Sequence, residues 1–295
     1  MSRVLGLDIG GTRSRAQLCA DGEVLADVAA ASASLTAVGA AGAKAALADL
    51  MAQLPLPPGE RLDAICAGSA GISAPGARQF LIEHLGPLAR PGRLVIVRDA
   101  MLALPAAGLD DGIALICGTG SVAIGRHAGT EVQAGGWGYL LGDEGSGYWV
   151  ARAAVRAVLD RRDRGLPLGD LGARLLAATE TSQVGELHEQ FYERPHPRHW
   201  ARYAPLVLGC GDPAAARITA EAAGALAALA AAAADRLGAP PGLPVVLAGG
   251  LFAQAALEEV VRAAIAETRP GTAVRRLTSA PVTGAVRLAE AAAER

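Results

Sequence analysis

An apolar segment near the start of the chain, residues 4–7, runs into a carboxylate, Asp8, and then into the glycine pair Gly10-Gly11 and Thr12. Glycine has no Cβ, so the backbone at Gly10 and Gly11 can adopt positive φ and approach phosphate oxygens closely. The Asp8 carboxylate is a ligand of the type that holds hydrated Mg²⁺. A strand and turn of this kind suits the phosphates of a nucleotide and their metal ion.

The same segment also fits an ordinary β-hairpin. Residues 16–19 are apolar enough to form the returning strand, and Asp21-Gly22 is typical of a second turn. The two interpretations are compatible, because a hairpin turn can also bind a phosphate. Other motifs in the chain must therefore decide whether this turn has a ligand.

Length and composition favour a globular protein with a large core, in one large domain or two. The 295 residues are 52% hydrophobic and have a net charge of −2, which fits a large core and argues against the basic surface of a nucleic-acid-binding protein. The N-terminus lacks a basic leader, and the alanine-rich run near residue 230 is too weakly hydrophobic to span a bilayer. We expect a cytoplasmic protein with no nucleic-acid or membrane partner.

The cysteines and histidines give no metal-binding pattern. The segment His196-Pro197-Arg198-His199 has no cysteine beside it and is interpreted as a surface loop. The cysteines are widely spaced, which predicts free, buried thiols in a reducing compartment. They are Cys19, Cys66, Cys117 and Cys210.

Hydrophobic periodicity predicts alternating strands and helices, and hence helices layered on a sheet. The helix that begins at Asp212-Pro213 has an N-cap and a proline at its first position, and Gly238 ends it. Other predicted helices are at residues 37–54, 77–88, 147–161, 171–179 and 283–293. Predicted strands after the first hairpin are at residues 64–67, 94–97, 113–117, 122–125 and 244–248.

Two of these strands lead into further glycine turns. Residues 113–117 run into Gly118-Thr119-Gly120-Ser121, and residues 244–248 run into Gly249-Gly250. The Gly118 turn repeats the pattern of the first turn, an apolar strand followed by glycines and a hydroxyl. This repetition suggests two related units in one chain.

A third strand, at residues 94–97, delivers a carboxylate, Asp99, at its end. Ligands bind at the carboxyl ends of strands in open α/β sheets, so Asp99 is a candidate reacting group. Asp99 also fits the N-cap of a helix at residues 100–107. Capping and catalysis are compatible.

The most unusual segment, residues 135–146, has five glycines around Trp137 and the acidic pair Asp143-Glu144. Such a composition disfavours regular structure and favours a loop that wraps a polar ligand. A sugar offers vicinal hydroxyls to a carboxylate and an apolar C–H face to an indole. The alternative is a glycine-rich turn with a buried tryptophan and a solvated aspartate.

Taken together, these motifs resemble the N-acetylglucosamine kinase family, which belongs to the BadF/BadG-type ATPase group of the actin, hexokinase and Hsp70 superfamily. The resemblance implies an α/β fold of two ribonuclease H-like, actin-like ATPase domains around a central cleft. It implies a first domain of residues 1–109 plus 282–295 and a second of residues 110–281. The matching segments are residues 7–12, 98–100, 117–121, 136–138, 142–146 and 248–250.

The resemblance also implies a role for each motif residue, with ATP and Mg²⁺ as cofactors. Asp8 would hold the metal through water, and Asp99 would be the general base that takes the proton of the sugar 6-hydroxyl. The implied ATP- and phosphate-binding residues are Gly10, Gly11, Thr12, Gly118, Thr119, Gly120, Gly249 and Gly250. The implied sugar-binding residues are Asp99, Gly136, Trp137, Gly138 and Asp143.

Two positions bear on the substrate. Members specific for acetylglucosamine have asparagine after the second glycine turn and after the second strand, where this chain has Val122 and Ser34. A lost amide partner changes substrate discrimination by about 1–3 kcal/mol. The resemblance therefore implies an amino sugar, either N-acetylglucosamine or glucosamine, as the partner of a homodimeric enzyme.

Two other functions fit the same fold. One is an ATPase activator of a radical dehydratase or reductase, which holds an iron–sulfur cluster between two subunits through cysteines. The other is a nucleotide-dependent sensor without catalysis, against which the carboxylates Asp8, Asp99 and Asp143 argue.

Overall fold

The computed structural model describes residues 2–57 and 59–295. Its backbone separates into two compact units. The first consists of the chain up to Asp110 together with Leu277–Arg295, and the second is Asp111–Arg276.

The first unit is a five-stranded sheet with helices on both faces. Its strand order is β3-β2-β1-β4-β5, in which β1, β2 and β3 pair antiparallel and β1, β4 and β5 pair parallel. The strands are β1 (Arg3–Ile9), β2 (Arg13–Ala20), β3 (Glu23–Ala31), β4 (Ala64–Ser69) and β5 (Leu94–Arg98). The helices are α1 (Leu35–Ala52), α2 (Ala77–Leu85), α3 (Ala103–Ala106) and the C-terminal helix Pro281–Glu294, with 3-10 turns at Gly86–Leu88 and Asp99–Leu102.

The two faces of this sheet are covered by different helices. Leu5, Leu7 and Ile9 of β1 point into a core shared with α1 and α2. Val4 lies on the opposite face, in the core shared with the C-terminal helix. Gly6 allows that helix to approach, because a Cβ at this position would lie 2.6 Å from the backbone nitrogen of Val286.

The second unit repeats the strand order of the first, because its sheet runs β10-β9-β6-β7-β8. Here β6, β7 and β8 pair antiparallel, and β6, β9 and β10 pair parallel. The strands are β6 (Gly112–Cys117), β7 (Ser121–His127), β8 (Thr130–Gly135), β9 (Val245–Ala248) and β10 (Val274–Arg276). The helices are α4 (Gly147–Asp163), α5 (Gly169–Thr179), α6 (Val184–Glu193), α7 (Pro197–Ala201), α8 (Ala204–Leu208), α9 (Pro213–Arg236) and α10 (Ala255–Thr268), with a 3-10 turn at Gly250–Ala253.

The predicted start of α9 is confirmed, and its cap is part of a larger network. The Asp212 side chain accepts a hydrogen bond from the Ala214 N–H at 2.8 Å. Both carboxylate oxygens of Asp212 also bind the Arg161 guanidinium at 2.8 Å, and this guanidinium lowers the pKa of the Asp212 carboxyl. One carboxylate therefore links α4 to the N-terminus of α9.

Some predicted elements require correction. The sequence analysis did not predict β3 or β8. The sequence of β3 lacks a strict alternation of apolar and polar residues, and β8 has only six residues. The helix predicted at residues 37–54 is broken at Gly39, which has φ 70°. The predicted cap at Asp99 is also wrong: Asp99 begins a 3-10 turn with Arg98 at the cap position, and the helix that follows has only four residues.

Two helices, α1 and α9, meet a test of length and composition for crossing a membrane, each with a mean hydropathy of 1.3. The run near residue 230 lies in α9, so the expectation that it is too short and too weakly hydrophobic to pass such a test is wrong. Half of the apolar stretch of α9 is buried in the fold. For α1 the buried share is 22%, formed by residues that pack against the first sheet. Buried helices of soluble proteins pass the same test, so it is weak evidence for a membrane span.

Gly284 in the C-terminal helix gives a test of this packing. A Cβ there would lie 2.1 Å from the carbonyl oxygen of Leu102, so Gly284→Ala should lower the free energy of unfolding by about 1–3 kcal/mol. The matched control is Gly224→Ala in α9, where no atom lies within 4 Å of the added Cβ. That change should raise stability by about 0.5–1 kcal/mol through helix propensity. Urea unfolding measures both, and equal effects would contradict the packing described.

Candidate active site

Two carboxylates of the candidate site, Asp8 and Asp99, lie at one edge of the first sheet. The parallel strands β1, β4 and β5 all end at this edge, where ligands bind in open α/β sheets. Asp8 on β1 is in register with Gly68 on β4, which is in register with Val97 on β5. Asp99 follows the last residue of β5. Asp8 and Asp99 therefore flank the end of β4 on its two sides.

Burial disfavours the charged forms of both carboxyls, and the charge of Asp99 further disfavours that of Asp8. Loss of hydration, and then the charge of Asp99, raise the pKa of Asp8 from 3.8 to about 6. Burial also raises the pKa of Asp99, although one of its oxygens accepts the Ala100 N–H at 2.9 Å. The charge of Arg15 lowers the pKa of Asp8 and offsets the increase only partly, because its guanidinium binds both oxygens of Asp27 at 2.6 and 2.7 Å. The pair thus lacks full compensation by positive charge.

The first glycine turn is tight, but not for the reason that the sequence suggested. Neither Gly10 nor Gly11 has positive φ, so that expectation is wrong. The Gly10 N–H donates to the Arg13 carbonyl at 3.0 Å, and a Cβ on Gly10 would lie 3.0 Å from the same oxygen. A Cβ on Gly11 would meet open space, and Thr12 is exposed. The glycines leave this turn accessible to a ligand.

A network of buried hydroxyls supports this turn, and the sequence analysis did not find it. The Ser32 hydroxyl donates to the Gly10 carbonyl at 2.8 Å. The Ser34 hydroxyl donates to the Ala70 carbonyl at 3.0 Å and lies 3.0 Å from the Thr36 hydroxyl. Ser34 is fully buried, so this position bonds to the backbone of its own unit.

In the second unit, the turn between β6 and β7 is held by the start of α4. The Gly118 carbonyl accepts the Gly147 N–H at 2.8 Å, and the Thr119 carbonyl accepts the Tyr148 N–H at 3.3 Å. The Gly118 N–H is used within the turn, because it donates to the Gly120 carbonyl at 2.9 Å. Backbone bonds therefore join this turn to the start of α4, and the Ser121 hydroxyl adds a bond to the Glu144 carbonyl at 2.8 Å.

The third glycine turn packs directly on the end of β6. Gly249 has φ 102°, and a Cβ there would lie 2.2 Å from the Cys117 carbonyl oxygen, so only glycine fits. Gly250 begins the following 3-10 turn. Both glycine turns of this unit border a cavity of about 340 Å³, a size that holds a small ligand. Its lining is Gly118, Thr119, Gly250, Leu251, Arg198, Ala201, Arg202 and Pro205.

The glycine-rich segment after β8 is an irregular loop, as predicted. Gly136 and Gly138 have φ 73° and 83°, which favours glycine at both positions. Trp137 between them is 71% exposed, so it is not a core residue. Val122 lies beside this loop, with a methyl group 3.0 Å from where a Cβ on Gly136 would be.

Asp143, at the end of that loop, lies against the second glycine turn. One of its oxygens accepts the Ser121 N–H at 3.4 Å, and the other lies 2.7 Å from where a Cβ on Gly120 would be. Burial raises the pKa of the Asp143 carboxyl. Hydrogen bonds from the backbone of Ser121 and Gly138 partly oppose this increase in its pKa. With φ 61°, Asp143 is in the left-handed region, which aspartate tolerates better than most residues.

Each unit therefore gathers its own set of predicted residues. The first places Asp8, Asp99 and the turn at residues 10–12 at one sheet edge. The second places Gly118 and Thr119 of one glycine turn and Gly250 of the other on one cavity. All four cysteines are free and buried, as predicted. Within residues 2–57 and 59–295, no group of three or more His, Cys, Asp or Glu side chains is arranged to hold a metal ion.

The motifs in both units match those of a known family. The model of the BadF/BadG/BcrA/BcrD ATPase family matches residues 5–289, nearly the whole chain. The chain belongs to this family. It is 32% identical over 171 residues to an N-acetylmuramic acid/N-acetylglucosamine kinase of Clostridium acetobutylicum, an alignment that covers 56% of each protein. It is 30% identical over 241 residues to an N-acetyl-D-glucosamine kinase of Dictyostelium discoideum, covering 76% of this chain and 74% of that protein.

The fold agrees with that of a solved structure. A proposed N-acetylglucosamine kinase from Chromobacterium violaceum is 28% identical and superposes with a TM-score of 0.77, covering 98% of this chain and 99% of that one. Both the predicted family and the predicted fold class, α/β and actin-like, are confirmed. The relatives named as N-acetylglucosamine kinases support the prediction of a hexosamine kinase.

The raised pKa of Asp8 predicts a pH-dependent effect on stability. Because the folded-state pKa lies above the unfolded value of 3.8, charged Asp8 destabilises the fold, and the cost appears as the pH rises through about 6. Asp8→Asn should raise the free energy of unfolding by about 1–3 kcal/mol at pH 7.5, and the gain should vanish near pH 4. Urea unfolding without Mg²⁺ at both pH values measures the effect.

The control for this variant is Asp27→Asn, which should have the opposite sign. The Arg15 guanidinium lowers the pKa of Asp27, so charged Asp27 stabilises the fold at neutral pH. Both side chains of this ion pair are partly exposed, which limits the loss to about 0.5 kcal/mol. A loss of stability in Asp8→Asn at pH 7.5 would contradict the electrostatics described for the site.

Proposed function

We propose that this protein is an ATP-dependent kinase that phosphorylates the 6-hydroxyl of an amino sugar, N-acetylglucosamine or glucosamine. The observation that carries the proposal is the pair of incompletely compensated carboxylates, Asp8 and Asp99, at the carboxyl edge of the first sheet. Asp8 suits a metal ion, and Asp99 suits a proton. The family of the chain and the names of its relatives support the same reaction.

The nucleotide is assigned to the glycine turns. In the first unit, Gly10, Gly11 and Thr12 form a turn with open space above Gly11. In the second unit, Gly118, Thr119, Gly120, Gly249 and Gly250 form the two turns beside the cavity. Backbone N–H groups and a hydroxyl in such turns bind phosphate oxygens.

The residues of the first unit fit a hydrated Mg²⁺ ion. Asp8 is partly buried, and the cation beside it, Arg15, is already bound to Asp27. A hydrated Mg²⁺ needs only one or two protein carboxylates, in addition to water and substrate phosphates. We therefore assign the metal to Asp8 through water. When bound, Mg²⁺ neutralises charge on the transferred phosphate.

The sugar is assigned to Asp99 and to the loop that includes Gly136, Trp137, Gly138 and Asp143. The exposed Trp137 indole offers an apolar face to the sugar ring. The Asp143 carboxylate has accepting capacity beyond its two backbone bonds, which suits sugar hydroxyls.

Asp99 is proposed to be the general base. The sugar 6-hydroxyl oxygen forms a bond to the γ-phosphorus of ATP while the bond from that phosphorus to the β,γ-bridging oxygen breaks, which releases ADP. Asp99 takes the hydroxyl proton during this attack. A partly buried carboxylate with a raised pKa is a stronger base than a solvated aspartate.

Location and assembly complete the proposal. The four free, buried cysteines suit a reducing compartment, which supports the cytoplasm. A homodimer is proposed from the family resemblance, and light scattering on the purified protein tests it.

Asp99→Asn tests the general base. The amide cannot accept the proton, so kcat should fall by about 10²–10⁴-fold while the affinity for ADP changes by less than about threefold. Asp49→Asn, an exposed change on α1, is the control of equal charge. Steady-state kinetics with a coupled ADP assay measure kcat, and turnover near the normal rate in Asp99→Asn would contradict the assignment.

A panel of sugars tests the substrate class. Glucosamine, N-acetylglucosamine, N-acetylmannosamine, glucose and muramic acid are compared by kcat/KM for ADP release. One of the first two should give the highest value. If none of the five stimulates ADP release, the proposed kinase activity is wrong.

Val122 is expected to influence the choice between those two amino sugars. Val122 lies beside Gly136 of the sugar loop and offers no hydrogen bond. Val122→Asn should change the kcat/KM ratio of N-acetylglucosamine to glucosamine in favour of the acetylated sugar by about 5–100-fold, as expected for one added amide partner. Val122→Ala removes the valine methyl groups beside Gly136 without adding an amide. An equal change of the kcat/KM ratio in that variant would rule out a hydrogen bond from the asparagine amide as the cause.

A further inference from the structure

The cavity of the second unit has a wall that the glycine motifs did not indicate. This wall is α7 and the residues after it, where the sequence predicted only a surface loop. Pro197 begins the helix, and the His196 ring nitrogen accepts the Arg198 N–H at 3.3 Å. Trp200 is fully buried, and its indole N–H donates to the Arg194 carbonyl at 2.8 Å. The tryptophan therefore fixes this short helix in the core.

A glycine allows α7 to approach the second turn. A Cβ on Gly147 would lie 2.9 Å from the Gly118 carbonyl oxygen and 3.2 Å from the Ala201 Cβ. Gly147 thus packs between the turn and the end of α7. Arg198, Ala201, Arg202 and Pro205 consequently line the same cavity as Gly118 and Gly250.

The two arginines of this wall, Arg198 and Arg202, differ in their bonding partners. The Arg202 guanidinium donates to the Tyr203 hydroxyl at 2.5 Å and lies 4.7 Å from the centre of the same ring. Arg198 is exposed, and across the described parts of the chain its guanidinium has no ion-pair partner. One arginine is held by its neighbour, and the other is available to a ligand.

The chemistry of the wall matches a nucleoside diphosphate. Ala201, Pro205 and Leu251 offer apolar surface to a base, and Gly118, Thr119 and Gly250 of the glycine turns line the same cavity. A guanidinium forms bidentate, charge-assisted hydrogen bonds with phosphate oxygens. We propose that Arg198 is a nucleotide-binding residue that contacts the phosphates of ATP and ADP. This inference rests on the proposed function, which assigns the nucleotide to these turns.

The test compares Arg198→Gln and Arg198→Lys with the unmodified full-length protein. Arg198→Gln should weaken ADP binding by about 5–50-fold, because a charge-assisted bond is lost at a partly solvated site. Arg198→Lys should fall between the two, since lysine keeps the charge but not the bidentate geometry. The KM for ATP should rise in parallel, and the KM for the sugar should change by less than about twofold. Calorimetry with ADP at constant salt measures the affinity.

The matched control is Arg194→Gln, an exposed arginine that does not line the cavity and whose loss changes the net charge equally. It should leave the affinity for ADP within about twofold of normal. Adenosine, which has no phosphates, should bind equally to Arg198→Gln and to the unmodified protein. Thermal unfolding identifies a folding defect in Arg198→Gln, and in that case the Arg198→Lys result decides.

Three outcomes would overturn the inference. They are normal ADP affinity in Arg198→Gln, an equal loss in Arg194→Gln, and an equal loss for adenosine. In each of these cases ADP still binds to the unmodified protein, so the proposed kinase function stands. If the unmodified protein binds neither ADP nor ATP, the proposed function fails together with this inference.

Discussion

Parallel pairing at the centre of each sheet is the constraint on which both sites depend. In the first unit β1, β4 and β5 are parallel, and in the second β6, β9 and β10 are. Strands paired in this way end at the same edge, so the residues that follow them lie close together although they are far apart in sequence. Asp8 and Asp99 are separated by about ninety residues, and the charge of Asp99 still raises the pKa of Asp8.

Close packing explains some of the glycines at these edges, and positive φ explains others, such as Gly136 and Gly138. A Cβ on Gly249 would collide with the Cys117 carbonyl, and one on Gly120 would meet the Asp143 carboxylate. On Gly68 it would lie 2.5 Å from the Leu102 side chain. Each of these glycines brings a backbone or a functional side chain closer than another residue would allow. These glycines therefore mark positions where two segments of the chain pack closely.

The carboxylates at the first edge illustrate a cost that functional sites commonly carry. Asp8 and Asp99 are partly buried near each other, and the cation beside them is bound to another acid. A fold selected only for stability would pair or remove these charges. In the proposed function, a metal ion at Asp8 and the substrate proton at Asp99 would give both carboxylates a use, which connects the electrostatics of the unit to its proposed chemistry.

The sequence alone determined the strand-and-glycine pattern, the alternation of strands and helices, and the capping of α9 by Asp212, because these depend on neighbouring residues. Its motifs were also specific enough to indicate the family. It did not reveal β3 and β8, the break at Gly39 or the role of α7, since weak periodicity and short helices depend on packing for their stability. Only the tertiary structure placed Asp143 on the second glycine turn and Arg198 on the cavity. Such contacts join residues distant in sequence, and no local propensity encodes them.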